Sequence, residues 1–169
     1  MNKKILFVLI SMIFAGVSFS REFNNNLDEE KVLDYALRCY ALFVVMIDVA
    51  KIENDKEFFE MNTDNAKDFL FISNVFYERL FPNNKELEKE IYFNKKGLPF
   101  IEHFSNSVNK IRKEEGPVLR SKSFTKEFHG KGLSCFSFSE TFYTEWFPEL
   151  EMNFIPKNQK FSKFLIAYA

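Results

Sequence analysis

The residues of this chain best suited to chemistry are two cysteines, Cys39 and Cys135, and two histidines, His103 and His129. Thiolates and imidazoles act as nucleophiles, bases or metal ligands only when other groups complete the arrangement. The sequence contains no C-x-x-C, H-x-x-x-H or G-x-S-x-G spacing, and neither cysteine is next to a histidine. It therefore predicts no catalytic residue, no metal ligand and no cofactor site, and a protein that is not an enzyme.

Both histidines have simple structural explanations. His103 precedes Phe104 on the apolar stripe of a predicted helix, so we expect it at the edge of that helix. His129 precedes Gly130 at an expected helix end, where its charge would complement the helix dipole. One alternative stays open, namely a small exported enzyme that uses His103 or His129 with a nearby acid. That alternative requires the two histidines to lie in one cleft.

The first twenty residues have the pattern of a secretory signal peptide. Two lysines precede an apolar run over 5–17, and Ser18 and Ser20 are small residues at the expected cleavage site. The apolar run, about 13 residues, is shorter than the roughly 20 that a membrane-spanning helix needs, which argues against a retained anchor. We therefore predict a signal peptide over 1–20 and an exported domain over 21–169.

Export changes the interpretation of the two cysteines. In an oxidising compartment a lone pair of cysteines is expected to form a disulfide. Cys39 and Cys135 both lie on apolar stripes, so we predict a buried bridge that ties the first helix to the last. The chain has no N-x-S/T triplet after residue 20, which favours the bacterial periplasm over secretion by a eukaryote.

Charge and length exclude several classes of protein. The chain has 23 basic and 24 acidic side chains, and its net charge of −1 argues against general nucleic-acid binding, which rests on clustered positive charge. A chain of 169 residues can bury a core without metals, and two cysteines are too few for a disulfide scaffold. We predict membrane contact only through the signal peptide during export.

Three helix starts are predicted from an asparagine followed three residues later by a glutamate, a capping-box spacing. The pairs are Asn26 with Glu29, Asn54 with Glu57, and Asn83 with Glu86. The resulting helices should cover about 27–52, 55–81 and 85–116. The first should be the central helix, packed on several sides, because the stripe through Val32, Ala36, Cys39 and Phe43 has a second apolar stripe beside it. The polar stretch 60–67 in the second helix leaves a break there open as an alternative. We expect the third helix to be interrupted at 94–99, and Leu87 and Ile91 to face inward.

The last third of the chain is predicted as a short helix ending near Gly130 and a second helical segment over about 133–147. Alternation over five residues near Cys135 also fits a strand, but the full segment favours a helix. The fold class is therefore all-α: a single domain of four or five helices, predicted as an antiparallel helical bundle, with an irregular tail over 148–169.

The chain is rich in aromatic residues, with 23 Phe, six Tyr and one Trp. Adjacent residues of a helix cannot share one face, so some of these rings should reach the surface, where they would mark an interaction site. The competing interpretation is that other segments cover them. The surface predicted to bind a partner consists of Phe142, Tyr143, Trp146 and Phe147.

These patterns predict a small exported, non-enzymatic protein that binds another protein. An immunity protein or an inhibitor of an envelope toxin or hydrolase fits this description. Besides the enzyme, a further alternative is an envelope- or lipid-associated structural protein with an exposed apolar stripe over 161–166.

Overall fold

The computed structural model describes residues 28–147, and the predicted signal peptide and the tail over 148–169 lie outside that range. The described residues form helices and no strand, which confirms the all-α prediction. The four α-helices are α1 (Glu29–Glu53), α2 (Lys56–Leu80), α3 (Glu86–Glu115) and α4 (Lys122–Thr141). A 3₁₀ turn at Val118–Arg120 precedes α4, and a π-helical turn at Phe142–Trp146 continues it.

The first two helices begin at aspartates and not at the predicted asparagines. Asp28 caps α1 by accepting a hydrogen bond from the Lys31 N–H at 3.3 Å. Asp55 caps α2 by accepting from the Phe58 N–H at 2.9 Å. A carboxylate at this position also favours the positive end of the helix dipole. Asn26, the other predicted cap, lies outside the described residues.

The predicted capping roles of Asn54 and Asn83 were wrong. Asn54 ends α1 in the left-handed region, with φ of 55°, and its N–H donates to the Ala50 carbonyl. Asparagine is one of the few residues other than glycine that adopt this conformation readily. Lys85, and not Asn83, precedes α3, and its N–H donates to the Glu88 carboxylate at 2.8 Å.

Helix α2 runs unbroken through its polar middle, which confirms the predicted second helix and excludes the alternative of a break. The Asn62 side chain donates to the Phe58 carbonyl at 2.6 Å, and the Thr63 hydroxyl donates to the Phe59 carbonyl at 2.8 Å. These side chains bond one turn back along the helix, so they do not draw the backbone into a different conformation.

Helix α3 runs without interruption through Pro99, which contradicts the prediction. Proline lacks an N–H, so the carbonyl one turn earlier loses its backbone donor. Contacts with α1 hold the helix on both sides of the proline. The Lys96 ammonium lies 3.3 Å from the Asp34 carboxylate, and the Arg38 guanidinium lies 5.8 Å from the centre of the Phe100 ring.

Helix α4 likewise continues through Gly130, where the sequence predicted an end. Each interior glycine costs a helix about 1 kcal/mol relative to alanine, so packing on both sides must offset the cost. Phe128 before the glycine and Cys135 and Phe138 after it are all buried. Phe128 packs against Phe104 of α3, with ring centres 6.1 Å apart.

Helix α1 is the central element, because it contacts α2, α3 and α4 and has buried residues on most of its circumference. A two-residue connection joins α1 to α2. The Arg79 guanidinium near the end of α2 donates to Glu29 at the start of α1 at 2.9 Å.

The segment between α3 and α4 is held by two glutamates. Gly116 has φ of 85° and ψ of −130°, a conformation essentially restricted to glycine. Glu53, the last residue of α1, accepts a hydrogen bond from the Val118 N–H. Glu115 accepts from the Ser123 hydroxyl, and this bond is the main reason that the pKa of the Glu115 carboxyl is lowered. These bonds fix where α4 begins against α1.

Candidate functional site

The two cysteines lie together in the core, as the sequence predicted. Cys39 of α1 and Cys135 of α4 are both buried, with their Sγ atoms 2.07 Å apart and their Cα atoms 5.7 Å apart. Neither carries a free thiol. The bridge therefore fastens α4 to the central helix and leaves no cysteine available for catalysis or metal binding.

Two of the four residues predicted to bind a partner pack inward. Phe142 is fully buried, and its ring centre lies 5.9 Å from that of Phe76 on α2. Trp146 is partly buried, with ring centres 6.4 Å from Phe76 and 5.7 Å from Phe138. These rings join α4 and the π-helical turn to α2, so they support the surface without forming much of it.

Another side of the same segment carries two exposed rings and one partly buried ring. Phe136 is 43 % exposed and Tyr143 is 37 % exposed, while Phe147 is partly buried. The intervals from residue 136 to residues 143 and 147 are whole numbers of helical turns, or close to them. We call Phe136, Tyr143 and Phe147 the α4 aromatic face. Phe136 was not among the predicted partner-binding residues, although its helical spacing from Tyr143 could have revealed it.

Rings from the neighbouring helices support the α4 aromatic face from behind. The Phe43 ring of α1 lies 5.6 Å from Phe136. The Phe71 ring of α2 stacks on Tyr143 at 6.5 Å, with 1° between the ring planes, and meets Phe147 at 5.8 Å. Because these supporting rings belong to different helices, the tertiary structure creates the face.

Acidic groups border the α4 aromatic face. The Tyr143 hydroxyl donates to the Asp68 carboxylate, and burial together with the Asp68 charge raises the pKa of Tyr143 to about 12. Burial, followed by the nearby charge of Asp64, raises the pKa of Asp68. Glu140 is exposed on the α4 side, one helical turn from Phe136. The face is therefore apolar at its centre and negative at its rim.

A second exposed apolar surface lies on α3. Leu87 is 65 % exposed, Ile91 58 % and Leu98 38 %, so the prediction that Leu87 and Ile91 face inward was wrong. Helix α3 turns its other side to the core, where the rings of Tyr92 and Phe93 contact Tyr77 of α2. We call Leu87, Ile91 and Leu98 the α3 apolar stripe.

The two histidines are both exposed, His103 on α3 and His129 on α4. A shallow cleft of about 220 Å³ lies at the junction of α2 and α3, lined by Tyr77, Asn84 and Lys89 among others, and neither histidine borders it. Within residues 28–147, no group of three or more His, Cys, Asp or Glu side chains is arranged to hold a metal ion.

No family model, curated protein or solved structure matches this chain. None of the helices described between residues 28 and 147 is long and apolar enough to cross a membrane.

Proposed function

We propose that this chain is an exported, non-enzymatic protein that binds another protein through the α4 aromatic face. An immunity protein or an inhibitor of an envelope toxin or hydrolase is the role we favour. The observation that carries the proposal is the exposure of Phe136 and Tyr143 on one face. Exposed apolar patches with a polar rim mark interaction sites, and tyrosine is among the residues that dominate interface energetics.

The support beneath the face favours binding without rearrangement. Phe142 is buried directly under Tyr143, with ring centres 5.0 Å apart. The Cys39–Cys135 bridge anchors the helix one residue before Phe136. A surface held this firmly loses little conformational entropy on binding, which raises affinity for a given contact area.

The rim indicates the chemistry of the partner. Asp68 accepts the hydroxyl hydrogen bond of Tyr143, and Glu140 is exposed one helical turn from Phe136, so both place negative charge beside the rings. The complementary partner has an apolar projection bordered by lysine or arginine. Opposite charges at the rim would accelerate association and exclude partners of the wrong charge.

Export to the periplasm is part of the same proposal. The charged, apolar and small-residue order of residues 1–20 supports a cleaved signal peptide. A buried disulfide between the two cysteines is typical of proteins from oxidising compartments. We also propose that the helices form an antiparallel bundle, supported by the short α1–α2 connection and the Arg79–Glu29 pair.

The test uses the disulfide-bonded chain from Arg21 onward as bait for an envelope extract. Three baits are compared: wild type, Phe136→Ser/Tyr143→Ser, and Ile52→Ser. Ile52 is 59 % exposed on α1 and serves as the control for loss of an exposed apolar side chain outside the face.

Wild type and Ile52→Ser should recover the same protein, and the double variant should lose it. With that protein purified, the double variant should bind at least roughly tenfold more weakly, since truncation of a central tyrosine of an interface costs about 2 kcal/mol. Recovery of identical proteins by all three baits would refute the assignment of the face. A hydrolase activity that disappears in His103→Ala would overturn the non-enzymatic proposal itself.

A further inference from the structure

The α3 apolar stripe is a separate surface from the α4 aromatic face. Leu87, Ile91 and Leu98 are spaced by four and seven residues, so their side chains lie along one line of an α-helix. Leu87 and Ile91 are the most exposed large apolar side chains of the described residues apart from Ile52. These three residues lie along one side of α3, with the exposed Asn94 between Ile91 and Leu98.

Opposite charges flank this strip in a symmetric arrangement. Glu88 and Lys95 are both exposed, and both lie on the same side of the line through Ile91. They are seven residues apart, nearly two helical turns, with Ile91 about midway between them. Lys95 is not among the lysines that form ion pairs within the described part of the chain.

We propose that a second copy of this chain binds the α3 apolar stripe, with the two α3 helices antiparallel about a two-fold axis beside Ile91. In that arrangement Leu87 of each copy meets Leu98 of the other, and the two Ile91 side chains lie next to the axis. Flanking residues on the same side of antiparallel helices face each other, so Glu88 of each copy lies opposite Lys95 of the other.

The charge pattern is what selects a second copy as the occupant. A two-fold interface must be self-complementary. If one residue contacts a second residue of the other copy, the same contact occurs again with the two copies exchanged. A strip with Glu88 at one end and Lys95 at the other satisfies this condition with two identical ion pairs. Beside the rings of the α4 aromatic face lie two acidic groups, Asp68 and Glu140, which do not form such a pair with each other. The α3 apolar stripe and the α4 aromatic face have no residue in common, so the dimer would leave the α4 aromatic face free to bind a different protein.

The primary test is sedimentation velocity of the disulfide-bonded chain over a concentration series at low salt. Wild type should shift from monomer to dimer as concentration rises. Leu87→Asp/Ile91→Asp should remain monomeric, because it places charges on the apolar strip. Both positions are exposed, so the variant should keep the wild-type thermal unfolding temperature.

Charge reversal tests the register. Glu88→Lys and Lys95→Glu should each weaken the dimer about tenfold, because each turns two attractive pairs into two repulsive ones. The combined variant should restore the dimer, and an equal mixture of the two single variants should form heterodimers. The Glu88 carboxylate also accepts a hydrogen bond from the Lys85 N–H, which both Glu88→Lys and the combined variant lose. If the combined variant dimerises like wild type, the weaker dimer of Glu88→Lys is due to the lost charge pairing and not to the lost helix cap.

A wild-type chain that stays monomeric at every concentration would overturn the proposal. So would a dimer that both single reversals leave unchanged, since it would use another surface. A loss of folding in Leu87→Asp/Ile91→Asp, with wild type monomeric, would show that another part of the same chain covers the strip.

Discussion

Removal of the Cys39–Cys135 bridge is the most informative perturbation of the fold. The bond joins residues separated by 96 positions, so it closes a long loop in the unfolded chain. In the chain-entropy model such a loop corresponds to about 4.7 kcal/mol of stabilisation at 25 °C. Reduction of the wild-type protein should lower the free energy of unfolding by about 3 to 5 kcal/mol, since native strain and residual unfolded structure reduce the ideal value.

The measurement is urea unfolding of three samples: oxidised wild type, reduced wild type, and Cys39→Ala/Cys135→Ala. Reduced wild type keeps both sulfur atoms in the core, so its difference from oxidised wild type isolates the cross-link. The double variant also loses sulfur volume at two buried positions, which should cost about 1 kcal/mol more through the cavity left behind. Reduction should also increase the dependence of stability on urea concentration, because the unfolded chain becomes less compact.

Thermal unfolding gives a second measure of the same effect. A loss near 4.7 kcal/mol corresponds to a decrease of roughly 10 to 20 °C in Tm for a protein of this size. Coincident urea midpoints for oxidised and reduced wild type would refute the reasoning. Two titratable thiols in the denatured, unreduced protein would refute the bridge itself.

Two further predictions concern α3 and the α4 aromatic face. Pro99→Ala should raise the free energy of unfolding by about 1 to 3 kcal/mol, because alanine restores the backbone hydrogen bond that proline cannot make. Urea unfolding tests this, and a lower midpoint than wild type would show that the proline is required. The pKa of Tyr143 is about 12 in the folded protein against 10.0 for the free side chain, so the unfolded chain loses this proton first as pH rises. The free energy of unfolding should therefore fall between pH 10 and pH 12, and it should fall less steeply in Tyr143→Phe. Urea midpoints measured across this pH range test the prediction, and an equal dependence on pH in both proteins would contradict it.

The sequence predicted those parts of the fold that depend on local periodicity. The stripe through Val32, Ala36, Cys39 and Phe43 indicated a helix packed on several sides, and α1 is the central helix. With only two cysteines, one intramolecular pairing existed, and the predicted export supplied the reason to expect it.

Helix continuity could not be predicted from local signals. Pro99 and Gly130 are residues that end helices in isolation, so the expected breaks followed from sound rules. The predicted breaks were wrong because contacts with neighbouring helices outweigh the free energy that proline and glycine cost inside a helix. The predicted cap at Asn54 was wrong for a related reason. Asn54 lies beside Asp55, and only the geometry of the connection decides that Asn54 ends α1 and Asp55 caps α2.

The sequence by itself therefore determined an all-α chain with a central apolar helix, a single disulfide pairing and an excess of aromatic residues. The tertiary structure alone decided which aromatic rings of α4 are exposed and which side of α3 meets the core. Phe142 and Tyr143 are adjacent and chemically alike, yet one is fully buried and the other is 37 % exposed. Periodicity shows that a helix has an apolar side, but only the positions of its neighbours determine which residues are buried.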